Sequence, residues 1–241
     1  MDLQTFCGMT DVTAIGYGLK DINPALDHPL VKRICVDSPS NTLRAWRKGL
    51  RTSAVFNFPF GQPSGSVRDL IDHGAQELDI PIPLSSIPRR FDFRSYWPVW
   101  GPWLDSLSLP AHAGITFKII LHTDYIEKTC DSPIPVIKRL ADEINQIFRS
   151  RYPGSLDLVF KTSTGYGPGG ATPEAVKALA EEGYKVKASG GIRTKAKAEE
   201  LFGAGAALFG IGFSSFLAIV NEFGGEQNGN NEQAGDQRSN Y

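Results

Sequence analysis

Four charged side chains sit inside otherwise apolar, β-branched runs of this 241-residue chain, where a charge is costly to bury. Asp79 lies in Glu77-Leu78-Asp79-Ile80, Lys118 in Phe117-Lys118-Ile119-Ile120, Lys161 after Leu158-Val159-Phe160, and Lys187 in Val186-Lys187-Ala188-Ser189. Taken singly, each lysine fits an ordinary ion pair. Taken together, three lysines and a carboxylate on separate strands suggest amine chemistry. A cation at Lys187 close to Lys161 would disfavour protonation of Lys161, and burial works in the same direction. A fraction would then stand as free amine, which is what attack on a carbonyl requires.

Two glycine-rich turns follow the last strands. Ser189-Gly190-Gly191-Ile192-Arg193-Thr194 and Gly210-Ile211-Gly212-Phe213-Ser214-Ser215 both run into helices. Either could be a tight turn. As a pair, they resemble the backbone cradle that holds a phosphate at a helix N-terminus.

These residues need strands to carry them, and the chain supplies eight candidates. They are Asp11–Ile15, Val31–Val36, Ser53–Phe58, Glu77–Ile82, Thr116–His122, Leu156–Thr162, Lys185–Ser189 and Ala206–Ile211. Helical patterns follow most of them. In Pro133–Ser150, for example, Ile137, Leu140, Ile144 and Ile147 recur at helical spacing. Thr172-Pro173-Glu174 reads as a capped start with proline at the first helical position. Alternating strand and helix implies parallel pairing, and eight units in this length fit a single TIM (β/α)8 barrel. No Gly-x-Gly-x-x-Gly opens the first unit, which counts against a dinucleotide fold.

The barrel is expected over residues 1–223, with an abbreviated first βα unit because Ile15–Pro29 is short and rich in Gly, Pro and Asp. Residues 224–241 read as a flexible polar tail, disordered in isolation. Arg89–Pro110 carries Trp97, Trp100 and Trp103 beside Pro98 and Pro102 and after other aromatics. It suits a packed cover, a subunit contact or part of the substrate mouth. A homodimer through these tryptophans is an option, and a monomer stays open.

At its lysines the chain resembles the deoxyribose-phosphate aldolase family. The specific motifs are Phe160-Lys161-Thr162-Ser163-Thr164-Gly165 with Gly170-Ala171-Thr172-Pro173-Glu174, and Val186-Lys187-Ala188-Ser189-Gly190-Gly191-Ile192-Arg193-Thr194. Asn57-Phe58-Pro59-Phe60-Gly61, Gly74–Asp79, Lys118–Leu121 and Asp11-Val12-Thr13 match more weakly, in the family's order. The resemblance implies a class I aldolase that cleaves 2-deoxy-D-ribose 5-phosphate reversibly to D-glyceraldehyde 3-phosphate and acetaldehyde, without cofactor or metal. It makes Lys161 the Schiff-base lysine, Lys187 its activator and Asp79 the acid–base relay, with Lys118 as a supporting third lysine. It places Thr164, Gly190, Gly191, Ser214 and Ser215 at the phosphate, and Thr13 and Cys35 along the substrate pocket. Some members end in a mobile tail whose last residue, tyrosine, reaches the site. Tyr241 occupies that place here, and a linker of this kind spans roughly 20–25 Å.

The chain also departs from the family. His122-Thr123-Asp124 stands where an acidic residue commonly follows the Lys118 strand, and Ile80-Pro81-Ile82-Pro83 brings two prolines beside Asp79. Both changes lie toward the entrance and bear on substrate choice. A Schiff-base aldolase for another aldehyde or sugar phosphate is therefore an alternative, and a non-catalytic sugar-phosphate-binding barrel is a further one.

Other chemistries find little support. A formal net charge of −1 gives no reason to expect nucleic acid or an anionic membrane. No apolar run reaches the ~18 residues of a membrane span. Cys7, Cys35 and Cys130 form no Cys-x-x-Cys pair, and His28, His73, His112 and His122 have no metal-ligand spacing, with few acidic neighbours in register. A cytoplasmic enzyme acting on small aldehydes and sugar phosphates is the expectation.

Overall fold

In a computed structural model of the chain, the placement of residues 1–14, 22–56, 67–82, 114–151 and 157–235 is described, with side chains of 151 and 225–235 left aside. Eight strands close into one parallel barrel in chain order. They are β1 (Thr10–Thr13), β2 (Arg33–Val36), β3 (Arg51–Val55), β4 (Glu77–Pro81), β5 (Thr116–Ile120), β6 (Asp157–Lys161), β7 (Lys185–Ser189) and β8 (Ala206–Gly212). β8 returns to β1 through Thr10↔Phe209 and Thr13↔Gly212. The TIM architecture read from the strand–helix alternation is therefore the one present.

The described helices are α1 (Leu3–Met9), α2 (Asn23–Leu26), α3 (Pro39–Arg47), α4 (Val67–Asp72), α5 (Thr123–Thr129), α6 (Pro133–Arg151), α7 (Pro173–Glu181), α8 (Lys195–Gly203) and α9 (Phe213–Gly235). Their starts are written locally. Ser38, Thr172 and Thr194 each accept a backbone N–H of the first turn, and Pro39 and Pro173 stand where a missing N–H costs nothing. α2 is a single turn, in keeping with an abbreviated first unit.

Two helices escaped the periodicity reading. α1 is only seven residues long and is capped by Asp2 through Thr5 N at 2.7 Å. α5 starts at Thr123, with Leu121 and His122 between it and β5, where the apolar run hides the boundary. α9 runs from Phe213 to Gly235. The aromatic segment with Trp97, Trp100 and Trp103, the motif Asn57–Gly61 and Tyr241 lie outside the described residues.

Alternation along each strand sends side chains to opposite faces. Outward residues such as Val12, Ile34, Leu78, Ile80, Phe160 and Phe209 form the apolar core shared with the helices. The barrel interior is different. Branched apolar residues usually fill it, but here Asp11, Arg33, Ser53, Glu77, Asp79, Lys118, Lys161 and Lys187 point into it and bond to one another. No helix among the described residues is long and apolar enough to cross a membrane.

Candidate active site

Lys161 ends β6, and its register partner on β7 is Lys187. Both are buried, Lys187 completely and Lys161 to within 4%. They converge on one atom: Asp79 Oδ2 accepts from Lys161 Nζ at 2.7 Å and from Lys187 Nζ at 2.9 Å. The other oxygen of Asp79 accepts from Ser53 Oγ at 2.6 Å. β4 thus contributes a carboxylate oriented by β3 and shared by the lysines of β6 and β7.

Lys187 has a second anion. Asp11 Oδ2 lies 2.6 Å from its Nζ. Burial opposes the charge on Lys187, but Asp11 and Asp79 more than reverse that and hold its pKa above the ordinary lysine value. The carboxylates respond in kind. Burial would raise Asp79, and Lys161, Lys187 and Lys118 instead hold it well below the usual carboxylate range. Asp11 is likewise depressed, because Lys118, Lys187 and Arg33 outweigh its burial.

Below this layer the ion pairs continue toward the opposite end of the barrel. Lys118, fully buried, bridges Asp11 and Glu77 and stands 3.7 Å from Asp79 Oδ1. Arg33 links Asp11 Oδ1 at 2.7 Å to Glu77 Oε1 at 2.6 Å, and Arg51 reaches Glu77 at 2.8 Å. Lys118 is therefore part of the floor under the lysine pair. Asp11, Glu77, Arg33 and Ser53 were not singled out as site residues in the sequence. The available signal was the alternation that puts Asp11, Arg33, Ser53, Glu77 and Asp79 on one face of β1 to β4, which counting could have exposed.

The impression of few acidic neighbours is also corrected. Asp11, Glu77 and Asp79 meet in the lumen, and lysine or arginine nitrogens occupy them. Among the described residues no group of His, Cys, Asp or Glu is placed to hold a metal ion.

Thr13 and Cys35 are register partners at the ends of β1 and β2. Thr13 is half-buried, whereas Cys35 is fully buried and packs with Val55. Burial first, then the charge on Asp79, pushes the Cys35 thiol up to about 11, so it is a neutral wall rather than a nucleophile.

The residues expected at the phosphate lie after β6, β7 and β8. The turn after β7 packs its backbone directly on the β6–α7 loop. Gly190 has φ +92°, and a Cβ on Gly170 would stand 2.4 Å from the Gly190 carbonyl oxygen. Only glycine permits that approach. Ala171 N donates to Gly190 O at 3.0 Å, and Thr162 Oγ1 bonds both N and O of Ser189. Thr164 lies in the same loop and accepts from Tyr166 N at 3.2 Å. Gly191 and Ser214 are exposed and Ser215 is half-buried. The two serines occupy the first turn of α9, where unpaired N–H groups favour an anion.

β8 helps through an absence. A Cβ on Gly210 would lie 2.5 Å from Ser189 Oγ and 3.1 Å from Lys187 Cε, so glycine leaves the lysine its room.

A scan against protein-family models finds no match. Individual proteins do match. The chain is 32% identical over 234 residues to a deoxyribose-phosphate aldolase of Dictyoglomus turgidum, covering 93% of this chain and 90% of the relative. It is 35% identical over 176 residues to the deoxyribose-phosphate aldolase of a Cyanothece species, covering 68% of this chain and 66% of that relative. Among solved structures, an aldolase designated QR15 superposes with a TM-score of 0.69 at 27% identity, covering 94% of this chain and 98% of that one.

Proposed function

Since the chain belongs to the deoxyribose-phosphate aldolase family, we propose that it cleaves 2-deoxy-D-ribose 5-phosphate reversibly through a Schiff base on Lys161. The observation that carries this reading is the single oxygen of Asp79 shared by Lys161 and Lys187. A binding protein has no need of two buried lysines on one carboxylate.

The ion pairs of the lumen set Lys161 apart from the other two lysines. Lys187 is tied to two carboxylates and Lys118 to Asp11 and Glu77, whereas Lys161 has Asp79 alone. Lys161 is the lysine least tied to counter-charges, which supports it as the attacking group.

In the cleavage direction, Lys161 Nζ adds to the C1 aldehyde, and loss of water gives an iminium. The C3 hydroxyl gives up its proton and the C2–C3 bond breaks. Its electron pair passes into the iminium, leaving an enamine and releasing glyceraldehyde 3-phosphate. Protonation at C2 and addition of water then release acetaldehyde and regenerate the amine. Asp79, bonded to both nitrogens, is positioned to pass protons between Lys187 and the reacting carbon. Gly190, Gly191, Thr164 and the α9 N-terminus with Ser214 and Ser215 would hold the phosphate. Thr13 and Cys35 would line the pocket. Tyr241 would assist proton exchange at the donor carbon, and deleting it should slow that exchange while leaving imine formation intact.

Borohydride reduction in the presence of acetaldehyde tests the core of the proposal. An ethyl adduct on Lys161 is expected. The reading would be sunk by finding no adduct together with cleavage activity indifferent to Lys161→Ala. A panel of aldehyde acceptors then decides how far the altered entrance has moved substrate choice.

A further inference from the structure

Asp124, in the His122-Thr123-Asp124 segment that follows the Lys118 strand, has a set of partners of its own. β5 ends at Ile120, and His122 turns the chain with φ +54°, a left-handed conformation that side chains seldom adopt. Its Nε2–H donates to the Ile82 carbonyl at 3.2 Å, which holds the turn against the end of β4. The next residues open α5, and Asp124 falls in its first turn, 4% exposed.

The carboxylate of Asp124 faces the β6–α7 loop. Its Oδ1 accepts from Ser163 Oγ at 2.9 Å and its Oδ2 from Gly169 N at 3.4 Å, so it grips the loop at both ends. The loop wraps it closely. A Cβ on Gly167 would come within 2.0 Å of Asp124 Oδ2, and one on Gly169 within 3.3 Å of Asp124 Cβ. Ser163 is two residues from Lys161, and Thr164 lies between the gripped ends. Immediately after Gly169, Gly170 and Ala171 make the backbone contacts that seat the Gly190 turn. Asp124 therefore supports a chain of rigid contacts that runs through the loop to the glycines of the anion cradle, without itself facing the lysines' carboxylate.

We propose that Asp124 is a positioning residue that sets the phosphate end of the substrate site. It fixes the 163–169 loop on which Thr164 and the Gly190 turn depend. The proposal rests on the aldolase reading above. Losing the carboxylate should loosen recognition of the phosphate and leave the imine chemistry of Lys161 largely in place.

The test compares 2-deoxyribose 5-phosphate with unphosphorylated 2-deoxyribose as substrates of the full chain. Asp124→Ala should raise KM for the phosphorylated sugar at least about tenfold while kcat falls less than about threefold. The kcat/KM for the unphosphorylated sugar, and the yield of acetaldehyde trapped on Lys161, should stay within about twofold of wild type. Asp124→Asn, which keeps one acceptor for Ser163, should fall between. Ser163→Ala is a milder second variant should Asp124→Ala fold poorly, and it should show the same selectivity at smaller size. Equal losses on both sugars would mean general loosening of the barrel and overturn the proposal, as would no change on either. Absence of trapping in the wild-type protein instead counts against the aldolase reading itself.

Discussion

Lys161 and Lys187 stand opposite each other on neighbouring strands and donate to the same oxygen of Asp79. Asp11 distinguishes the two, because it binds Lys187 at 2.6 Å and supplies it a second counter-charge, whereas Asp79 is the carboxylate paired with Lys161. The reactivity proposed for Lys161 is thus a property of the whole lumen.

Removing the nucleophile should be the most damaging change. Lys161→Ala is expected to lower kcat/KM by on the order of 10⁴-fold or more and to abolish borohydride trapping, with the fold retained by circular dichroism. Lys161→Arg should be as inactive, because guanidinium stays protonated.

Asp79→Asn keeps the shape and removes the charge that both lysines share. A loss of roughly 10²–10⁴-fold in kcat is expected, the range of a positioned acid–base group. Single-turnover trapping with acetaldehyde should decline less than turnover. An equal decline would place Asp79 in imine formation alone.

Stability against pH should carry the signature of the buried ions. Asp11 and Asp79 are depressed in the folded state, so their contribution is full above the unfolded value of 3.8 and drains away as pH falls through their lower folded values. Lys187 is raised, so its contribution is full below the unfolded value of 10.5 and is lost as pH climbs beyond it. Urea unfolding should therefore give stability that declines below about pH 4 and again above about pH 10. Asp11→Asn should flatten the acid limb, and an unchanged limb would show that Asp11 is not a source of it.

Gly210→Ala tests the room left for Lys187. The added methyl meets Ser189 Oγ first, which can rotate, and then Lys187 Cε, which is held by two carboxylates. A stability cost of about 1–3 kcal/mol is expected from overpacking. A kcat loss of about tenfold or more should accompany it through misplacement of the lysine. If kcat is kept, Lys187 tolerates the displacement.

How much of this was legible beforehand depended on range along the chain. The caps Ser38, Thr172 and Thr194 lie three residues from the N–H groups they satisfy, so each could be read locally. The lysine motifs are also local, and they placed Lys161 and Lys187 on adjacent strands correctly. Asp11 and Lys187 are separated by most of the barrel sequence, and no local pattern pairs them. The same is true of Glu77 with Arg33 and Lys118. Asp124 could be noted only as part of the His122-Thr123-Asp124 segment, since its partners Ser163 and Gly169 arrive from the loop after the next strand.

The sequence by itself determined the alternation of strands and helices, hence a parallel barrel, and the family motifs around Lys161 and Lys187, because periodicity and residue type are properties of short segments. Tertiary structure alone decided which charges meet. Closing the barrel buries Asp11, Glu77 and Asp79 among Arg33, Lys118, Lys161 and Lys187. These residues come from six strands, and distances across a closed sheet are not written in any one of them.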